Sequence, residues 1–211
     1  MSVLSLDTAA PVVGAAVQGG GSWQQRILRG ADVALAEAMA ELVQDQEISL
    51  VCVSVGPGAF TSLRVGVAAA LGFAVARGIP VLPISSLHAR ALLVPKGPVL
   101  SILDGRKSKA YAQSFSDGAP VDLGLDLPPE QAIERAVEAS GAGFLAVGEG
   151  AEVWREQIEA AGGSISSEPT QSPVVAMAEY AWKHRAQALS PQAVRLEYLR
   201  DADAKLPTPR A

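Results

Sequence analysis

The chain has 211 residues, of which 49% are apolar, 5% aromatic and 18% charged, with a formal net charge of −5. That length can bury a real core, in one large domain or two small ones, and with so few aromatics the core has to be built from Ala, Val and Leu. The acidic balance, with no block of Lys or Arg, argues against a chain that holds RNA by itself, because such proteins show a basic face.

In chain order, Val3, Leu4 and Leu6 form a first apolar run that ends at Asp7 and Thr8, and a second run over 12–17 completes a hairpin. Residues 23–28 continue it as a third strand. Residues 31–43 then have helical periodicity, with Val33, Leu35, Ala36, Met39, Leu42 and Val43 as the apolar stripe. A buried strand over 51–55 stops at Gly56, Pro57 and Gly58, residues whose backbone freedom or fixed φ suits a tight turn. Thr61 or Ser62 is the expected cap of the next helix, which Gly78 and Pro80 close, and 81–84 is a further strand.

The helix over 61–77 is the unusual element. Between Arg64 and Arg77 it carries no charged or hydrophilic side chain, and small residues such as Gly66, Ala69, Ala70, Gly72 and Ala76 sit on every side. A helix that is apolar all round has no face intended for water. It falls short of the roughly 20 residues of a membrane span. One face is therefore expected on its own sheet and the other on a second layer or another subunit.

From Pro98 the pattern begins again. An apolar run over 99–103, a turn at Asp104 and Gly105, and a return over 110–115 repeat the first hairpin. Helices are expected from Pro128 and Pro129 to 140, over 151–161 and over 173–189 with Ser172 as cap, and a strand over 144–147. The tail from Lys205 reads as disordered. Trp154 and Trp182 fall on amphipathic helices as packing residues. This is an α/β chain of two related subdomains, 1–97 and a reduced 98–211. Each opens with strand, Asp-containing turn and strand, the outline of the ribonuclease-H-like actin, sugar kinase and Hsp70 superfamily.

The stretch GPGAFTSLRVGVAAALGFA resembles the signature of the TsaB family, also called YeaZ, with Ala59 where that family usually has serine and Ser62 where it has glycine. LSLDTAA resembles the family's first hairpin, DGRKSKAY its aspartate, arginine and tyrosine spacing at Asp104, Arg106 and Tyr111, and EYLRDADAKLP its ending. A histidine that the family often carries before the first long helix is missing here.

In this superfamily nucleotide phosphates sit at the two hairpin turns, which makes Asp7, Thr8, Asp104 and Gly105 the candidate, vestigial nucleotide positions. Asp7 there would hold a hydrated Mg²⁺. Arg106, Lys107 and Lys109 crowd the second turn, and Glu149, between two glycines, would repel phosphate, so no cofactor is expected. Catalytic relatives carry two histidines four apart on a helix, a metal-binding spacing. Here only His88 and His184 exist and Leu92 stands four after His88, so no metal site is expected and each histidine reads as a surface or cap residue. The single Cys52, in an apolar strand, reads as structural and fits a reducing compartment.

The resemblance implies a non-catalytic subunit that works with TsaD and TsaE to make N6-threonylcarbamoyladenosine at position 37 of tRNAs reading codons that start with A. TsaD would carry the metal and the transfer step, and TsaE the ATPase. The helix over 61–77, with the helix before it, would serve both a homodimer and the pairing with TsaD. The candidate interface residues are Arg64, Val65, Ala69, Gly72, Phe73, Ala76, Ala36 and Met39, and Arg106 is a further functional candidate. No specific tRNA binding by the chain alone is expected, although Arg200, Lys205 and Arg210 could touch tRNA inside a complex. The N-terminus shows no signal-peptide pattern, so a cytoplasmic, non-membrane protein is expected. A small ATP-dependent phosphotransferase is the alternative reading, and a metallopeptidase a remote third.

Overall fold

Alternation along the first strand decides where the layers lie. The computed structural model describes residues 2–19, 22–29, 33–141, 143–168 and 170–200. Every residue of β1 (Ser2–Asp7) is buried. Leu4 and Leu6 enter one apolar cluster, while Val3 enters another on the opposite face. A strand buried on both faces lies inside a sheet with layers on both sides. β2 (Val12–Gly19) and β3 (Ser22–Arg29) add antiparallel to it. After α1 (Val33–Leu42), β4 (Ile48–Ser54) pairs parallel with β1, and after α2 (Phe60–Arg77), β5 (Val81–Ile84) pairs parallel with β4. The sheet order is β3-β2-β1-β4-β5.

The turn into α2 is set by a close backbone approach. Gly56 has φ 122°, and a Cβ there would overlap the Glu197 carbonyl oxygen. The helix starts at Phe60, before the expected cap, because the Ala59 carbonyl already accepts the Leu63 N–H at 2.9 Å while the Ala59 N–H donates to Ala9 at 2.9 Å. Neither Thr61 nor Ser62 caps it. At the other end Gly78, in the left-handed region at φ 64°, closes the last turn as expected. Leu63, Gly66, Val67, Ala70 and Ala74 form the buried face, and Leu63 and Val67 together contribute on the order of 3 to 5 kcal/mol of hydrophobic stabilisation. At 18 residues α2 reaches the lower end of bilayer-spanning length, so its length does not exclude a span. What places it in the fold is this face, which packs in one cluster with Leu4, Leu6, Val51 and Val53.

A short helix that the sequence reading lacks, α3 (Ser86–Ala91), comes next and leads into the second half. β6 (Pro98–Asp104) and β7 (Ala110–Ser116) repeat the β1–β2 hairpin. β8 (Ala119–Pro120) and β9 (Leu125–Leu127) both pair with β7, and α4 (Pro129–Ser140) covers the hairpin. β10 (Leu145–Val147) lies parallel to β6 as β4 does to β1. The single helix expected over 151–161 is two, α5 (Glu149–Val153) and α6 (Arg155–Ala160), broken where Trp154 leaves helical geometry at φ −112° and ψ 30°. β11 (Ser164–Ile165) completes the sheet order β11-β10-β6-β7-β8. In strand order this is the first sheet again, with β9 added beside β7.

α7 (Val174–Lys183) ends at Lys183, six residues before the expected 189, and its N-cap is Pro173 rather than Ser172, whose hydroxyl is buried without a hydrogen bond. The chain enters the second sheet at Pro98, where the expected boundary lies, yet α7 returns to the first. Val174, Met177, Ala178 and Ala181 cover Val3, Ala16, Leu50 and Cys52 on the face opposite α2, and the Ser5 hydroxyl donates to the Val174 carbonyl at 2.6 Å. α3 lies between the sheets: Ala89 belongs to the cluster of the first, Leu87 and Ala91 to that of the second with Val99, Leu103 and Phe115. Trp154 is buried as a packing residue, whereas Trp182 is 38% exposed beneath Arg185. The tail from Lys205, and with it Arg210, lies outside the described residues.

Candidate functional site

The two hairpin turns converge on the space between the sheets, and α3 fills it. Asp7, at the end of β1, is fully buried. Arg90 of α3 meets it with both ends of its guanidinium: Nη2 donates to Oδ2 at 2.8 Å and Nη1 to Oδ1 at 3.2 Å. Nη1 also donates to the Ser86 carbonyl at 3.2 Å. Burial by itself would lower the Arg90 pKa, but the carboxylates of Asp7 and Glu149 more than reverse this and hold it above its ordinary value. Glu149 is also shifted upward, which here favours its neutral form. Burial raises its pKa, Arg90 opposes that, and Asp7 and Asp104 add to it. Both candidate aspartates therefore act on one glutamate.

This glutamate opens α5 behind Gly148, which has φ 103° and lies so close to β6 that a Cβ would overlap the Ile102 carbonyl oxygen. The hydroxyls of Thr8, next to Asp7, and of Ser86, whose carbonyl Arg90 holds, are buried without hydrogen-bond partners, as are those of Ser54 and Ser101 elsewhere in the strands. Thr8 is packed against Gly66 of α2. The second turn differs. Asp104 is exposed, its Oδ1 accepts the Arg106 N–H at 2.8 Å, and Arg106, Lys107 and Ser108 all have φ between 52° and 59°. Gly105 is buried, with Arg200 donating to its carbonyl at 3.0 Å while holding Asp126 through two bonds of 2.7 and 2.8 Å.

Chemically, this cleft is ill suited to a nucleotide. A hydrated Mg²⁺ needs free carboxylate oxygens, and both oxygens of Asp7 are engaged by Arg90. A phosphate placed between the turns would meet three carboxylates and an arginine already paired. Both histidines are held in aromatic packing. His88 stacks on Phe115 with centroids 5.4 Å apart and meets the edge of Tyr180 at 5.0 Å, so it is half-buried and not the surface residue expected. His184 is the cap of α7, as expected, stacked on Tyr180 at 3.9 Å. Burial raises the Cys52 pKa far above its ordinary value, so its thiol stays protonated and unreactive.

The other candidate surface is the outward face of α2. Phe60 is 51% exposed, Val65 38% and Val75 57%, and Arg64, Ala68, Gly72 and Ala76 are exposed with them. The steps between these residues trace one stripe along the helix, opposite the buried face. At its start the Arg64 guanidinium lies 3.7 Å over the Phe60 ring, and its Nε donates to the Tyr198 hydroxyl at 3.3 Å. Two of the expected interface residues, Ala69 and Phe73, are half-buried against the core. Met39 is misplaced: it is buried with Leu35 and Leu42 beneath the first sheet, because it falls on the inner stripe of α1. Ala36 is exposed. Arg90 was not anticipated, although a lone charge in the apolar run ARALLV was the available signal.

The two repeated sheets are the architecture of the actin, sugar kinase and Hsp70 superfamily. YeaZ from Pseudomonas aeruginosa superposes with a TM-score of 0.78 at 21% identity, over 94% of this chain and 99% of that one. An uncharacterized protein of Mycobacterium leprae is 36% identical over 97 residues, which are 46% of this chain and 26% of that protein, so the match spans about a quarter of that relative. An uncharacterized protein of Mycobacterium bovis is 28% identical over 165 residues, covering 69% of this chain and 76% of its own. The family model described as TsaD, tRNA N6-adenosine threonylcarbamoyltransferase, matches residues 22–207. With nearly its whole length matched, the chain belongs to that family and carries the YeaZ fold.

Proposed function

We propose that the chain is a non-catalytic partner subunit in the formation of N6-threonylcarbamoyladenosine in tRNA. It pairs through the outward stripe of α2 with a TsaD-like subunit that performs the transfer, works alongside a TsaE-like ATPase in the cytoplasm, and forms a homodimer through the same stripe when alone. The observation that carries this reading is the exposed apolar stripe running from Phe60 to Ala76, since a contiguous apolar patch on a folded protein marks an association site. The filled cleft supports it: Asp7 is spent on Arg90, and both histidines are spent on packing.

Reconstitution tests the reading. With a TsaD-like subunit, a TsaE-like subunit, ATP and threonylcarbamoyl-adenylate, modification of tRNA should require this chain, and the chain with adenylate and tRNA alone should give none. Transfer by the isolated chain would overturn the non-catalytic role. Calorimetry with ATP and Mg²⁺ should show no micromolar binding. Binding of that strength, lost on Asp7→Ala, would replace the reading with that of a phosphotransferase.

A further inference from the structure

A half-open cavity of about 380 Å³ lies between the halves, lined by no residue of the Asp7 cleft or of α2. Its volume is within the range of roughly 300 to 1,000 Å³ typical of small-molecule sites. Its apolar lining includes Phe115, Leu125 and Leu123, which is 76% exposed. Its polar lining includes Glu197, Ser85 and His88. The Glu197 carboxyl is half-buried, and burial raises its pKa against the hydrogen bond from Ser85. Burial lowers the His88 pKa against the opposite pull of the Gly118 backbone, and its Nε2 is buried without a hydrogen bond.

The wall is held in place before any ligand arrives. Gln113 Nε2 donates to the Asp122 carbonyl at 2.9 Å, the Ser114 N–H donates to Asp122 Oδ1 at 2.7 Å, and Arg135 pairs with Oδ2 at 3.1 Å. Among the described residues no lysine or arginine lines the cavity. A carboxylate or phosphate would therefore face an acid with nothing to neutralise it, whereas an ammonium would supply Glu197 with the cation it lacks and form a charge-assisted hydrogen bond.

We propose that this cavity binds a small organic amine, its apolar body against Phe115 and Leu125 and its ammonium on Glu197. The inference is independent of the pairing through α2. The test uses the full chain and ligand-observed NMR, with 2-phenylethylamine as the probe and 2-phenylethanol and phenylacetate as its neutral and anionic matches. The amine should bind saturably, the alcohol about tenfold or more weakly, and the acid not at all, because a charge-assisted bond exceeds one factor of ten. Glu197→Gln should weaken the amine by about the same factor. Leu123→Arg, at an exposed position where folding is insensitive, should weaken it too by placing a cation in the lining. Absence of saturable amine binding, equal binding of phenylacetate, or amine binding unchanged in both variants would overturn the proposal.

Discussion

Two regions of this molecule reverse the usual placement of polar and apolar groups, and they do so in opposite senses. The cleft between the sheets buries an aspartate and an arginine beside the unpaired hydroxyls of Thr8 and Ser86, while the outer face of α2 shows phenylalanine, valine, alanine and glycine to water. Buried charge and exposed apolar surface are the informative departures in any fold. In the cleft the departure is compensated from within, because Arg90 and Asp7 satisfy each other. On α2, among the described residues, only Arg64 and Tyr198 meet Phe60, and Val65 and Val75 stay exposed. Between the sheets the buried charges are met by the protein's own side chains, and the apolar groups that remain uncovered lie on the surface.

The strongest way to break this comparison is to open the cleft. Arg90→Met leaves Asp7 and Glu149 without their cation and is expected to destabilise the protein by about 3 to 5 kcal/mol in urea unfolding, the cost of an uncompensated buried charge. Combining it with Asp7→Leu removes both charges, and most of that loss should return, since a buried ion pair contributes little net stability over an apolar pair of similar volume. A single variant as stable as the parent would mean that the pair is not what fills the cleft.

How much of this was legible in the sequence depended on how local each signal was. The closing of α2 by Gly78, the strand β5 and the helix α4 all lay where a few neighbouring residues said they would. The alternation of Val3, Leu4, Ser5 and Leu6 was visible, but which face each took depended on α7, some 170 residues away. α3 was missed because a helix of 6 residues is too short to show a period. Without it neither Arg90 nor the closing of the nucleotide position could be seen. Met39 shows the converse: its spacing from Leu35 and Leu42 already placed it on the inner stripe, and assigning it to an interface overrode that periodicity.

A smaller effect should come from Glu149, and its sign follows from linkage. Its folded-state pKa is raised above the unfolded value near 4.5, first by burial, so the folded protein holds that proton more tightly than the unfolded chain. The stability this contributes is fully present below the unfolded pKa and is lost as pH rises through the folded one. Glu149→Gln, which cannot ionise, should therefore be more stable than the parent at pH 7, with the advantage shrinking as pH falls and vanishing below about pH 4. Melting curves across that range measure it. An advantage that grew on acidification would show that Arg90 outweighs burial at this site.

The smallest effect on folding should be found on the face of α2, where the largest effect on association is expected. Ala70 and Ala76 lie on the same helix, one fully buried and the other exposed, so one substitution on each separates packing from docking. Ala70→Arg places an unpaired charge in the core and should abolish folding. Ala76→Arg should melt like the parent, within about 0.5 kcal/mol, as exposed substitutions usually do, because Ala76 is exposed in the isolated chain. In a dimer or a complex with a TsaD-like subunit that covers the stripe, the same arginine becomes a buried, unpaired charge costing several kcal/mol in order of magnitude. Sedimentation and pull-down should then show a folded monomer that has lost both partners. Ala69→Arg, on the half-buried edge, should be intermediate in stability and equally deficient in association. Should Ala76→Arg and Val75→Arg both fold, dimerise and bind with unchanged affinity, the stripe is not the interface, and its exposed phenylalanine and valines would need another occupant.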